Sequence, residues 1–220
     1  MPDYLEHEIT LASFAQIDQE IGTHRFSPAE YAIVRRVIHT TADFEFRQLL
    51  QFSSNPIMAA ATALSQSEPI VTDVSMVAAG IRTVVDRTWG SSVVAAVQQA
   101  PTQLPPNQTR SAAGMRQCLK QYSGAIIAVG NAPTALLTLC EAIASEQVQP
   151  ALVVGAPVGF INVVESKQAL AALSVPHILV SGRKGGSAVA AAILNALMIW
   201  TWQQSRALPS RALPSRALPS

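Results

Sequence analysis

Charge is scarce in this chain: 13% of its 220 residues are Asp, Glu, Lys or Arg, against 49% hydrophobic. That balance excludes a long disordered polar tract and suits a compact fold with large buried faces. Of the fifteen basic residues, Arg206, Arg211 and Arg216 fall in the last fifteen positions, which hold no acid. The rest of the chain therefore sets 12 basic residues against 14 acidic ones. A nucleic-acid binder needs a broad basic field, and this chain has none. Any anion site must be local. Cysteine is also rare: Cys118 and Cys140 lack metal-ligand spacing and fall in helix-like segments, where buried apolar thiols are expected. The four histidines and the acids show no zinc-like spacing, so no protein-bound metal is expected. The most apolar stretch, Ala188 to Trp202, is short of the ~20 residues of a bilayer span and is interrupted by Asn195. It reads as a helix buried against a sheet or a subunit partner. Acids near the N-terminus stand where a signal peptide would carry positive charge, so a cytoplasmic setting without a membrane partner is expected.

What the chain does have is repetition. Three times, an apolar run empties into a glycine-containing turn and then a helix-like segment. The runs are Gly124 to Gly130, Pro150 to Gly155 and Val175 to Ser181. The turns after them read GNAPTAL from Gly130, GAPVGF from Gly155 and GRKGGSA from Gly182. Two further runs, Pro69 to Asp73 and Ser92 to Val97, read as strands. Helices are expected over Tyr4–Ile21, from Ser27 toward Leu50 with a break near Thr40 and Thr41, over Ser54–Leu64, Val74–Ile81 and Thr109–Tyr122. Ser27, Pro28 and Glu30 form a helix-start signature with a capping box. Pro101 to Gln108 is a polar, proline-rich loop. The alternation predicts a three-layer α/β/α sandwich with a mainly parallel sheet of about five strands in one domain, residues 1–204. Residues 205–220, with Arg-Ala-Leu-Pro-Ser three times in succession from Arg206, read as a disordered tail.

Parallel strand–turn–helix units gather their turns on one sheet edge. Glycine there lets backbone N–H groups approach a ligand, and helix N-termini favour negative charge. With Arg110, Lys167, Arg183 and Lys184 close in sequence, the turns point to carboxylate or phosphate recognition. The turn at Gly182 lacks Walker spacing, because Lys184 precedes the glycine pair. No Gly-x-Gly-x-x-Gly follows the first strand, which disfavours a dinucleotide site. No Gly-x-Ser-x-Gly elbow is present, and Ser166 and Ser187 read as residues at helix starts. Among ionisable groups His39 is the one candidate for proton exchange near neutral pH; on pattern alone, a lone helical histidine is more often structural.

These segments together resemble a known family. GNAPTAL from Gly130, APVGF from Ala156 followed by ESKQAL from Glu165, and GRKGGSA from Gly182 occur in the same order in precorrin-8X methylmutase. So do DVSMVAAG from Asp73 and TRSAAG from Thr109, and His39 falls in the matching VIHTTAD from Val37. The likeness spans about Asp3 to Trp202 and leaves only the repeated tail outside.

The resemblance implies an isomerase of cobalamin biosynthesis that moves a methyl group from C11 to C12 of precorrin-8X or cobalt-precorrin-8, giving hydrogenobyrinate or cobyrinate. It implies a three-layer fold, a homodimer and no external cofactor; cobalt, when present, is carried by the substrate. His39 takes the catalytic position, and Ser13 and Arg36 take substrate-contacting positions. A corrin precursor carries a rim of acid side chains around an apolar macrocycle. Gly130, Asn131, Gly185, Gly186 and Ser187, with Arg36, Arg110, Lys167 and Arg183, are expected to hold the rim, and Met76 and Phe160 the ring. One enclosed pocket should join His39 to the three turns. A non-catalytic tetrapyrrole carrier is the alternative of another class, keeping the anion turns without needing an ionisable group at position 39.

Overall fold

In the computed structural model, residues 7–104 and 106–207 are described. One sheet of six strands organises them: β1 (Leu50–Phe52), β2 (Ile70–Thr72), β3 (Val93–Ala95), β4 (Ile126–Val129), β5 (Leu152–Gly155) and β6 (His177–Val180). Their spatial order is β1-β6-β5-β4-β2-β3, parallel throughout except for β1, which pairs antiparallel with β6. The three strands of the repeated units, β4 to β6, and β2 are buried at every position. That is why their sequences are continuous apolar runs rather than alternating ones.

Alternation survives in where the side chains go. Ile126, Ala128, Leu152, Val154, Ile178 and Val180 enter one core, packed by α1 (Glu8–Ile21), α2 (Pro28–Thr41), α4 (Pro56–Ser65), α5 (Ser75–Arg87) and α9 (Ser187–Ala207). Ile127, Val129, Val153 and Leu179 enter the other, packed by α6 (Arg110–Gln121), α7 (Pro133–Ala144) and α8 (Val163–Ala171). The result is the expected α/β/α sandwich, with one strand more than expected.

Several boundaries differ from the sequence reading. The helix started by Ser27 has both halves of its capping box and ends at Thr41, at the expected break; only a short helix continues toward Leu50. Ala42 takes the left-handed conformation at φ 53°, and its N–H closes on Ile38 O. The chain then turns into the short α3 (Phe46–Leu49) and the edge strand β1. α5 runs past the expected end at Ile81 to Arg87; a Cβ on Gly80 would meet Ala191 Cβ at 2.9 Å, so glycine permits close approach of α5 to α9. Val93–Ala95 is the strand within the expected 92–97 run, and Ala96–Gln99 is a 3-10 turn. The apolar helix α9 is buried against the sheet and continues to Ala207, past the expected boundary at 204. Residues 208–220 of the expected tail lie outside the described residues. No described helix is long and apolar enough to cross a membrane.

Candidate functional site

The carboxyl ends of β2, β4, β5 and β6 share one edge, and the three glycine turns do meet there. Gly186 N–H donates to Ala156 O at 2.8 Å, and Gly159 N–H to Arg183 O at 3.3 Å. A Cβ on Gly185 would fall 2.3 Å from Ala156 O, and one on Gly130 would fall 2.9 Å from Ser187 Cα. Contacts this close admit only glycine, and Gly185 and Gly186 also carry positive φ of 153° and 120°.

Most of the amides expected to grip a ligand are already engaged. The N–H groups of Gly130, Asn131 and Ala132 donate to the Asp73 carboxylate at 3.0, 2.8 and 2.7 Å. Burial pushes the Asp73 carboxyl up, and these donors oppose the shift. Gly186 N–H belongs to Ala156. Lys167 is engaged in the same way. Its side chain is 2% exposed, and its ammonium donates to Gly182 O and Lys184 O at 2.7 Å each, a clamp inside the turn. Burial pushes that ammonium down to about 8. The donors of the Gly130 and Asn131 amides, Gly186 and Lys167, all expected at the substrate, thus satisfy the protein's own oxygens.

What faces outward is a smaller set. The Asn131 side chain and Arg183 are exposed, and the N–H groups of Gly185 and Ser187 have no acceptor among the described residues. Arg110 opens α6, exposed beside the start of α7, where Thr109 Oγ1 and Thr134 Oγ1 lie 2.7 Å apart. Apolar side chains stand among them: Met76 is 70% exposed, Phe160 81% and Ile161 78%, with the Arg183 guanidinium 5.7 Å from the Phe160 ring centre.

His39 reaches the same end of the molecule from another layer. α2 packs along α9, and Lys184 ties its carboxyl end to the third turn, with Nζ 2.6 Å from both Asp43 Oδ2 and Glu45 Oε2. Those contacts hold the Asp43 carboxyl below its usual range and raise the lysine. The imidazole itself is exposed and meets the buried Phe14 ring edge-on at 5.3 Å between centres. Arg35 and Arg36 lie over that same ring at 4.4 and 5.2 Å. Partial burial, and then the nearby Arg36 charge, push the His39 pKa below its ordinary 6.5. The cavity beside it, about 520 Å³, is walled by α1 and α2 with Ala42 and Phe44; Ser13 lines it and bonds back to Ile9 O at 2.8 Å. The strand-end turns are not among its walls, so the expectation of one enclosed pocket is corrected. His39 and the turns are neighbours on an open edge, joined through Lys184.

Comparison with known proteins decides the family. The family model described as precorrin-8X methylmutase matches residues 8–200. The chain belongs to this family. It is 47% identical over 214 residues to the cobalt-precorrin-8 methylmutase of Synechocystis sp., covering 91% of this chain and 98% of that one. It is 38% identical to a precorrin-8X methylmutase of Sinorhizobium sp., over 84% of this chain and 90% of the relative. The crystal structure of the precorrin-8X methylmutase of Thermus thermophilus superposes with a TM-score of 0.81 at 40% identity, covering 90% and 99% of the two chains. Members of the precorrin-8X methylmutase family are isomerases of cobalamin biosynthesis, and this chain is one of them.

Two residues of this methylmutase edge escaped the sequence reading. Asp73 was visible as part of a motif, yet its partners lie 57 to 59 residues away, and nothing local announces them. Phe14 looked like one more apolar position of α1; only the packing of α1 on α2 brings it beside His39 and two guanidinium groups.

Proposed function

We propose that this methylmutase moves the methyl group from C11 to C12 of precorrin-8X or its cobalt form, giving hydrogenobyrinate or cobyrinate, with His39 as the group that acts on the macrocycle. One observation carries the reading. An exposed imidazole, held neutral near pH 7 by partial burial and by Arg36, sits at the end of a helix that Lys184 joins to the glycine turns.

The ring lies along the open edge, where Met76, Phe160 and Ile161 offer apolar area and Arg183, Arg110, Asn131 and the Gly185 and Ser187 amides meet the acid side chains. Arg36 and Ser13 meet the same substrate on the His39 side. The neutral imidazole hydrogen-bonds to the macrocycle beside the migrating methyl, or its protonated form gives the macrocycle a proton, and either act favours the tautomer whose conjugation permits the shift. General acid assistance of this kind contributes ~10²- to 10⁴-fold; confinement in one reactive geometry adds to it. The substrate brings any cobalt, and no external cofactor takes part. The working unit is a homodimer, a reading supported by the exposed Ile9 and Leu11.

The test is His39→Ala with precorrin-8X and cobalt-precorrin-8 supplied separately and the product followed by its absorption. Turnover should fall at least about 100-fold while product binding persists. Turnover near the wild-type rate would remove His39 from the mechanism.

A further inference from the structure

In an open parallel sheet, ligands bind where the strand order reverses, outside the carboxyl ends of the two strands that flank the reversal. Here the chain passes outward from β2 to β3 and then back across to β4, so the reversal lies between β2 and β4. The residue at that point is Asp73, fully buried. Its backbone is pinned on both sides: its N–H donates to Ala128 O at 3.0 Å, and its carbonyl accepts from Val97 N–H at 3.1 Å. Its carboxylate then receives the three successive N–H groups that precede α7. Consecutive amides converging on one anion, at a strand-to-helix turn, are the arrangement by which such sheets hold the phosphates and carboxylates of ligands.

The turn so held is also wedged against its neighbours. A Cβ on Gly130 would meet Ser187 Cα, Ala190 Cβ and Val77 Cγ2, each at 2.9 Å. The place of this turn therefore sets the place of two things on the open edge: the exposed Asn131 side chain that it carries, and the first residue of α9 that it touches.

We propose that Asp73 is an internal ligand: its carboxylate fills the anion cradle at the sheet's switch point and, by fixing that turn, positions Asn131 and Ser187 for the substrate's acid side chains. The proposal rests on the reading above in one respect, that Asn131 and Ser187 face the substrate. Asp73 itself touches no substrate and acts through the turn. Truncating it would leave three N–H groups pointing into a vacancy that matches a small carboxylate in charge and size.

The experiment uses full-length Asp73→Ala, with thermal unfolding and steady-state kinetics measured in sodium chloride and in sodium formate of equal ionic strength. KM should rise about 10- to 100-fold, as loss of hydrogen bonds to a charged group predicts, with kcat less affected. Formate should raise Tm and bring KM back at least about tenfold, while chloride does neither. A folded variant with wild-type KM, or one whose Tm responds to formate while KM stays high, overturns the positioning role. No formate effect beyond that of chloride overturns the cradle. Should Asp73→Ala fail to fold, Asp73→Asn keeps the shape but turns an NH₂ toward one of the N–H donors; it should show the same rise in KM, and a wild-type KM there overturns the proposal. Asn131→Ala separates the two claims. Wild-type KM in that variant sinks the substrate contact, whereas the Tm response of Asp73→Ala to formate reads the cradle alone.

Discussion

At the residue level, protonation states divide the work of this edge. The His39 imidazole is held below its ordinary 6.5, so its neutral form dominates at pH 7. If the neutral ring is the working form, kcat/KM is flat above neutrality and falls as pH drops through a midpoint below 6.5. A pH–rate profile on precorrin-8X checks this, and the acid limb should vanish from the residual rate of His39→Ala. Lys167 gives a stability signature of opposite logic. Its folded pKa, about 8, lies below the ordinary 10.5, so the unfolded chain binds that proton more tightly. Burial of the charged form weighs fully against folding below pH 8, and this cost fades as pH rises toward 10.5. Lys167→Met leaves Gly182 O and Lys184 O without their donor, at a cost of about 1–3 kcal/mol. Thermal unfolding across that window should show wild type gaining on Lys167→Met as pH rises.

Among the elements, the junctions matter more than the helices themselves. α6 approaches the 3-10 turn after β3 so closely that a Cβ on Gly114 would stand 1.8 Å from Ala96 O and 2.6 Å from Ala96 C. Backbone atoms cannot rotate away as a side chain can. Gly114→Ala should therefore destabilise by at least ~1–3 kcal/mol despite alanine's better helix propensity, and denaturant melts would measure it. The far end of α2 offers a milder case. Ser27 accepts the Glu30 N–H and Glu30 accepts the Ser27 N–H, so Ser27→Ala should cost about 1 kcal/mol of stability with little effect on kcat, because the cap is a helix length away from His39. The helix starts and the three buried strands could be read from the sequence, because capping residues and continuous apolar runs are local signals. The edge strand β1 could not: Leu-Gln-Phe is three residues long, and only its pairing with β6 makes it a strand.

For the whole molecule, the sandwich joins segments far apart in the chain: Asp73 meets the turn 57 to 59 residues on, and Lys184 meets Asp43 141 residues back. Residues beyond Ala207 follow the last described helix, which ends far along α9 from Ser187 at the site. A chain cut after Ala207 should keep wild-type turnover, and a lost rate would give the repeated Arg-Ala-Leu-Pro-Ser segment a role. Composition and motif order already determined the layer architecture and the family, and they singled out His39 as the candidate histidine, because buried faces and family motifs are written in contiguous residues. Tertiary structure alone decided which backbone donors of the turns the protein's own oxygens occupy. An N–H group has room for one strong acceptor, and whether Asp73, Ala156 or a ligand supplies it depends on neighbours dozens of residues away along the chain.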